Sequence, residues 1–207
     1  MLNKLKYALL LLCLPAAVWA ADFEDGKHYT TLNTERSAQN QVTEFFSFYC
    51  PHCFRFEPVA IALENSLPKG TSFVKSHVNF LGGISPQVQT NLSYAYIIGK
   101  QNGKAHQIAE RLFNTIHVQR ERLDSMAELR KFMAAQGISE LEFDAALVSM
   151  PVLTAEKAMA DAQQKFSDAG ALTGVPTFIV NDKYKLNISE LKSQDELHEL
   201  VQYLLKK

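Results

Sequence analysis

The order of apolar and polar positions predicts a strand–helix–strand unit in the first third of the chain. Residues 41–49, QVTEFFSFY, are rich in aromatic and β-branched side chains, which favours a strand buried on both faces or nearly so. Residues 54–66 are expected to form a helix, and residues 71–80 a second strand. Two strands joined through a helix in this way lie parallel in one sheet.

Between residues 85 and 163 the apolar positions recur with a helical period instead. One predicted helix carries its apolar side chains on one face, at Ile108, Ala109, Leu112, Phe113 and Ile116. Ser125 with Glu128, and Ser139 with Glu142, have the spacing of capping boxes, which mark helix N-termini. The segment therefore predicts several helices without a strand, which together form an all-helical insertion.

Strand character returns near the C-terminal end of the sequence. Residues 177–180 are expected to form a strand, and a short turn at Asn181 and Asp182 leads into another strand at 184–186. Ser193 then caps a last helix. Taken together, these elements predict an α/β protein.

The first twenty residues have the three parts of a secretory signal peptide. Lys4 and Lys6 give a positive start, residues 7–14 are an unbroken apolar run, and small residues lead to a cleavage site after Ala20. The apolar run is too short to span a bilayer as a helix. We therefore expect a signal peptide over residues 1–20, and its removal would discard Cys13.

Composition and charge narrow the function classes only slightly. The chain has 207 residues, of which 47% are hydrophobic and 21% charged, and its formal net charge is −1. These values are those of a folded soluble protein, and they exclude a disordered or collagen-like chain. The near-neutral charge offers no electrostatic argument for binding nucleic acid.

The cysteines are the most informative feature of the composition. Of the three, the exported chain would keep only Cys50 and Cys53. Disulfides persist outside the cytosol. A bond between residues only three positions apart closes too small a loop to constrain much of an unfolded chain. We therefore expect a disulfide that is exchanged rather than one that stabilises the fold.

The spacing of this motif assigns a role to each residue in it. Pro51 suits the first position of a helix, which places Cys50 at the helix N-terminus, where unpaired N–H groups favour a thiolate. Cys50 should therefore have a depressed pKa and act as the nucleophile, and His52 can donate to the same sulfur. Cys53 lies about one turn deeper and should be the resolving thiol.

The direction of exchange follows from the depressed pKa. A thiolate exists only in the reduced protein, so its stabilisation favours reduction of the pair. Each pKa unit below ambient pH contributes about 1.4 kcal/mol, or roughly 30 mV. The motif thus predicts a protein that donates its disulfide.

Other uses of the motif fit less well. Zinc normally needs four ligands, and no second cysteine pair exists. Haem attachment needs a histidine directly after the second cysteine, where this chain has Phe54. A Cu(I) site formed by Cys50, His52 and Cys53 and an inert disulfide remain as alternatives. The redox interpretation implies no metal and no organic cofactor.

Three motifs together carry a resemblance to a known family. Phe-Ser-Phe-Tyr-Cys-Pro-His-Cys at 46–53, Val-Asn-Phe at 78–80 and Gly-Val-Pro at 174–176 resemble the DsbA family of bacterial thiol oxidases. The resemblance implies a thioredoxin fold with an inserted all-helical domain. On that basis, residues 21–81 and 164–207 would form a discontinuous thioredoxin-like domain, and residues 82–163 the inserted domain.

The resemblance also implies roles for residues outside the cysteine motif. Val175 and Pro176 match a cis-proline loop that faces the active-site sulfurs and binds substrate. Glu44, Glu57 and Lys75 match charges that lie beneath the disulfide and influence proton movement at the buried cysteine. A structural ion pair is the alternative for these three residues.

Two features of the sequence are expected to play little part in this chemistry. Pro58 departs from the family, in which a non-proline residue is expected at this position, so that the active-site helix is expected to differ locally. The remaining histidines are expected to be structural or solvated: His28, His77, His106, His117 and His198.

The sequence therefore predicts a periplasmic thiol:disulfide oxidoreductase that oxidises newly exported proteins. By resemblance, its partner for reoxidation is a quinone-linked membrane oxidase of the DsbB type, and the protein is expected to be a monomer. One alternative is a disulfide isomerase or reductase. The others are binding modules, either a holdase-like chaperone or a copper carrier.

Overall fold

The computed structural model describes residues 23–207. The expected signal peptide, including its cleavage site and Cys13, lies outside the described residues. Within residues 23–207, no helix combines the length and apolar character needed to cross a membrane.

One mixed sheet forms the centre of the described fold. Its five strands are β1 (Tyr29–Thr31), β2 (Gln41–Phe46), β3 (Ser72–His77), β4 (Thr177–Val180) and β5 (Tyr184–Leu186). Their order across the sheet is β1-β5-β4-β2-β3. β2 and β3 are parallel, as expected for a strand–helix–strand unit, and the other pairs are antiparallel. This sheet confirms the predicted α/β class.

Helices cover both faces of the sheet. In the described residues they are α1 (Pro51–Ser66), α2 (Pro86–Gln101), α3 (Ala105–His117), α4 (Met126–Ala135), α5 (Glu140–Leu147), α6 (Met150–Asp168) and α7 (Gln194–Lys206). On one face, Val42 and Phe178 pack with residues of α1 and α7. On the other face, Phe45 and Ile179 pack with Phe166 of α6. The alternation of side chains along each strand sends neighbouring residues to these two separate cores.

The largest buried cluster belongs to the helical part of the chain. It joins α2 to α6 around side chains such as Leu92, Ile98 and Phe113. Phe46 and Phe48 and both cysteines belong to the same cluster, so the helical core continues to the end of β2. α6 runs without interruption across residue 163, where the inserted domain was expected to end.

Several local expectations are confirmed. β4 and β5 have the predicted bounds, and the turn between them has Asn181 and Asp182 at φ 51° and 56°, a left-handed conformation that these residue types tolerate. Both predicted capping boxes are present. These features depend on neighbours in sequence, which is why the sequence predicts them.

Two expectations about strand bounds are wrong. β2 ends at Phe46 instead of residue 49 because the chain turns between Ser47 and Cys50. β3 is limited to Ser72–His77 instead of 71–80. α1 begins at Pro51, as the cysteine motif predicts, three residues before the start expected from the apolar pattern. The strand β1 was not predicted at all, since three residues at a sheet edge leave almost no periodic signal.

Candidate active site

A short turn delivers Cys50 from the end of β2 to the start of α1. The Cys50 N–H donates to the Ser47 carbonyl at 3.0 Å, and the Tyr49 N–H donates to Ser47 Oγ at 3.2 Å. Cys50 has extended backbone angles, φ −88° and ψ 113°, and Pro51 follows at the start of the helix. Cys50 is therefore the N-cap of α1, as predicted.

The Cys50 sulfur lies where the free N–H groups of the helix point. The Cys53 N–H donates to Cys50 Sγ at 3.2 Å. The Cys53 side chain also donates to this sulfur, and that bond, with the backbone N–H groups of Cys53 and His52, lowers the pKa of Cys50 to about 6 against the opposing effect of burial. A large fraction of Cys50 is thus ionised at neutral pH when the pair is reduced.

Cys53 has the opposite electrostatic setting. It is fully buried, one helical turn below Cys50. Its hydrogen bond to Cys50 and its burial raise the pKa of Cys53 well above the ordinary range, and the nearby Glu44 charge adds to the rise. The two sulfurs are therefore distinct, since Cys50 ionises readily and Cys53 retains its proton.

His52 contacts the site differently from the expected arrangement. Its ring is exposed, and Nδ1 accepts a hydrogen bond from Arg55 at 3.0 Å. The structure has no hydrogen bond from the ring to Cys50 Sγ, the contact expected from sequence. The backbone N–H of His52 lowers the Cys50 pKa. A positive charge on the ring, present only when Nδ1 is protonated and cannot accept from Arg55, has a weaker effect in the same direction.

The Val175–Pro176 loop lies against the active-site sulfur. The peptide bond between these residues is cis, as predicted. The Val175 carbonyl is 3.4 Å from Cys50 Sγ and accepts a hydrogen bond from the Cys50 thiol when that thiol is protonated. A groove of about 670 Å³ extends from this loop along residues 185–190. Cys50 itself is 5% exposed and does not line this groove.

A buried cluster of three charges lies in the fold between β2, β3 and α1. Glu44 and Lys75 are opposite each other in the parallel strands, and Lys75 Nζ is 2.7 Å from both Glu44 Oε2 and Glu57 Oε2. Burial raises the pKa of Glu44 to about 7. Burial opposes the charge of Lys75, but the two carboxylates outweigh it and raise the pKa of Lys75. The cluster is thus one proton-binding unit near Cys53.

Two histidines approach the turn before Cys50, and the sequence reveals neither contact. His77 Nε2 accepts from the Phe48 N–H at 3.1 Å, and His117 Nε2 donates to the Phe48 carbonyl at 2.8 Å. A third contact to this turn joins Tyr49 to Asp124, at 3.2 Å. No local pattern marks these residues, because their partners are 29 to 75 positions away in sequence.

Within residues 23–207, neither Pro58 nor a metal site alters this description. Pro58 is exposed and lies inside α1, which continues through it to Ser66. Across residues 23–207, no three side chains of the His, Cys, Asp or Glu type come together in an arrangement that could hold a metal ion.

Comparison with known proteins identifies the family of this fold and site. A model of the DSBA-like thioredoxin domain matches residues 41–202. Thiol:disulfide interchange protein DsbA of Escherichia coli K12 is 37% identical over 193 residues, which cover 90% of this chain and 87% of the relative. The chain belongs to the DsbA family. The DsbA of Pectobacterium carotovorum is 35% identical over 89% of this chain and 86% of its own.

Solved structures of DsbA proteins share this architecture. A complex of Proteus mirabilis DsbA with the non-covalently bound peptide PWATCDS has a TM-score of 0.78 at 28% identity, and covers 90% of this chain and all of that one. The thioredoxin-like fold that the motifs implied is therefore confirmed. As a DsbA-family protein, the chain is a thiol:disulfide oxidoreductase that acts as a dithiol oxidase.

Proposed function

We propose that this DsbA-family protein donates a Cys50–Cys53 disulfide to newly exported proteins in the periplasm. The observation that carries the proposal is the opposite shift of the two thiol pKa values. With a Cys50 pKa of about 6, the thiolate stabilises the reduced protein at pH 7 by about 1.4 kcal/mol, or roughly 30 mV. The pair thus favours giving its disulfide away.

The first step consumes the disulfide of the enzyme. A substrate thiolate attacks Cys50 Sγ, the bond between Cys50 and Cys53 breaks, and the electron pair leaves on Cys53. The raised pKa of Cys53 ensures that this sulfur takes up a proton. The product is a mixed disulfide between Cys50 and the substrate.

The second step releases the oxidised substrate. A second substrate thiolate attacks the substrate sulfur of the mixed disulfide, and Cys50 leaves as a thiolate. A thiol of lower pKa is the better leaving group, so the helix N-terminus accelerates this step. A quinone-linked membrane oxidase of the DsbB type then takes two electrons from the pair, the proton of Cys53 is released, and the disulfide is restored. No metal or organic cofactor of the protein takes part.

Substrates are proposed to bind beside the Val175–Pro176 loop. Val175 is close to Cys50 Sγ, and the adjacent groove has room for an extended segment. The bound peptide in the complex of the Proteus mirabilis relative supports this type of substrate. An extended backbone pairing with this loop would hold a substrate cysteine near Cys50.

The remaining site residues are proposed to adjust the potential of the pair. Pro51 starts the helix that stabilises the Cys50 thiolate, and His52 adds its N–H and charge. Glu44, Lys75 and Glu57 form a unit that exchanges protons with Cys53 as its sulfur leaves or returns. The Glu44 pKa of about 7 suits that role at neutral pH.

The layout of the chain follows the same proposal. Residues 1–20 direct export and are removed, and the mature protein acts as a monomer. Residues 21–81 and 164–207 form the thioredoxin-like part, and residues 82–163 the inserted helical part.

Equilibration with glutathione redox buffers tests the oxidase function. The purified protein should be half-reduced in buffers far more oxidising than those that half-reduce cytosolic thioredoxin. A couple as reducing as thioredoxin would overturn the proposed direction. Oxidation of a reduced dithiol peptide provides the activity readout. If the protein instead reshuffles a scrambled substrate faster than it oxidises the dithiol peptide, it is an isomerase.

A further inference from the structure

The peptide groups on either side of Phe48 need partners outside the sheet. The parallel ladder of β2 and β3 ends with the Val78 N–H donating to the Phe46 carbonyl at 2.9 Å. Phe48 follows two residues later and is fully buried. Buried backbone groups are nearly always paired, so its N–H and its carbonyl must find other partners.

Two imidazoles supply those partners from different parts of the fold. On one side, His77 Nε2 accepts the Phe48 N–H, which requires that Nδ1 carries the ring proton and donates to Ser93 Oγ at 2.8 Å. On the other side, His117 Nε2 lies 2.8 Å from the Phe48 carbonyl and must donate to it, since a carbonyl only accepts. Phe48 is thus held between a sheet residue and a residue of the helical segment.

His117 also contacts the far side of the cysteine motif. Its ring stacks on Phe54, with ring centres 5.0 Å apart and planes 9° from parallel. Phe54 directly follows Cys53 on α1. The last residue of α3 therefore contacts both the turn that precedes Cys50 and the helix that follows Cys53.

We propose that His117 is a positioning residue, which orients the turn before Cys50 through its hydrogen bond to the Phe48 carbonyl. The peptide unit that contains this carbonyl also contains the Tyr49 N–H, and the unit is planar. Rotation of the unit therefore disturbs the bond from Tyr49 to Ser47 and the approach of Cys50 to its cap position. Because the low Cys50 pKa depends on aligned N–H groups, the helical segment adjusts the reactivity of the sulfur through His117. This inference rests on the proposed function and adds a residue to it.

Two substitutions at His117 separate the hydrogen bond from the stacking. His117→Phe keeps a ring on Phe54 but has no donor, so the buried carbonyl of Phe48 must turn to find another. His117→Gln keeps an amide donor of similar reach but loses the ring. His106→Ala is the matched control, because His106 lies on the same helix, is exposed, and faces Glu64 at 3.8 Å instead of the turn.

The readout is the Cys50 pKa in the reduced protein, followed as thiolate absorbance during an acid titration. We expect His117→Phe to raise the pKa by roughly half to one unit and to slow oxidation of a dithiol peptide several-fold. His117→Gln should stay close to the wild type, and His106→Ala should match it. A merely structural role would lower thermal stability and leave the Cys50 pKa unchanged.

Two results would overturn the inference. One is a folded His117→Phe protein with the wild-type Cys50 pKa, and the other is an equal shift in His117→Phe and His117→Gln. Should His117→Phe fail to fold, His117→Asn replaces it, since its shorter amide does not reach the carbonyl. An ordinary Cys50 pKa in the wild type would refute the proposed function, whereas the differences among the variants test His117 separately.

Discussion

The surroundings of Cys50 and Cys53 differ more than their separation of three residues implies. Cys50 caps the start of α1, is 5% exposed, and lies 3.4 Å from the Val175 carbonyl. Cys53 is fully buried, with the charge of Glu44 near it. The same residue type thus has a lowered pKa at one position and a raised pKa at the other. The hydrogen bond from the Cys53 thiol, with the N–H groups at the helix start, produces the first shift; the same bond, with burial, produces the second.

This difference gives the exchange reaction its order. The sulfur that can be reached is also the better leaving group, and the sulfur that is sheltered is the one that holds a proton. A pair of equivalent thiols would let substrate attack either sulfur. Because Cys53 is fully buried, attack is proposed to occur at Cys50, and the low pKa of Cys50 then favours its release in the second step.

Removal of each sulfur in turn should show the largest functional difference between Cys50 and Cys53. Cys50→Ser should reduce oxidation of a dithiol peptide to the uncatalysed rate, since it removes the sulfur that substrate is proposed to attack. Cys53→Ala should also lose turnover but should accumulate mixed disulfides through Cys50, detectable by non-reducing electrophoresis and mass spectrometry. Equal trapping by both variants would show that substrate reaches either sulfur and would contradict the contrast.

The pH dependence of the reduction potential should show the separation of the two pKa values. Below pH 6, reduction binds two protons and the potential should fall by about 59 mV per pH unit. Above the Cys50 pKa of about 6, only Cys53 binds a proton, and the slope should halve to about 30 mV. Glutathione equilibria between pH 5 and 8 measure this slope. A constant steep slope up to pH 8 would mean that Cys50 ionises like an ordinary thiol.

Replacement of His52 should reduce the difference between the pKa values of Cys50 and Cys53 without abolishing it. His52→Ala removes a charge near the sulfur but leaves the backbone N–H groups in place, so the Cys50 pKa should rise by roughly one unit or less. The couple should become correspondingly less oxidising. Thiolate absorbance in an acid titration measures the shift, with His106→Ala as the control. An unchanged Cys50 pKa in His52→Ala would show that His52 does not act on the sulfur.

The smallest effect on exchange is expected at the charge cluster, where the readout is stability. Because the folded-state pKa of Glu44 is raised from 4.5 to about 7, the folded protein binds this proton more tightly than the unfolded chain. Stability is therefore full below pH 4.5 and should fall by about 1–3 kcal/mol as pH rises to 8. Urea unfolding of the oxidised protein measures this decline. Glu44→Gln should lack the decline.

Glu64, a partly exposed carboxylate on α1, is the control for that measurement. Glu64→Gln should keep the decline of the wild type, since this side chain keeps access to solvent. Retention of the full decline in Glu44→Gln would assign it to other groups and remove Glu44 as the buried proton site.

The sequence was informative where a feature depends on nearby residues. The position of Cys50 at the helix start follows from Pro51 next to it, and the capping boxes and the β4–β5 turn follow from similarly short patterns. The end of β2 was misplaced because residues 47–49 keep strand-forming side chains although their backbone turns. The ring of His52 also takes Arg55 as its partner, a choice that spacing alone did not decide.

By itself, the sequence determined the α/β class and the reactive pair. It also determined the direction in which the pair's reduction potential is shifted, because helix capping and thiolate stabilisation act over one helical turn. Only the tertiary structure decided which distant groups meet at that turn. Lys75 of β3 reaches Glu57 of α1, and His117 reaches Phe48 from the helical segment. These contacts arise because burial leaves charges and backbone groups without water, and the packed fold must then supply their partners.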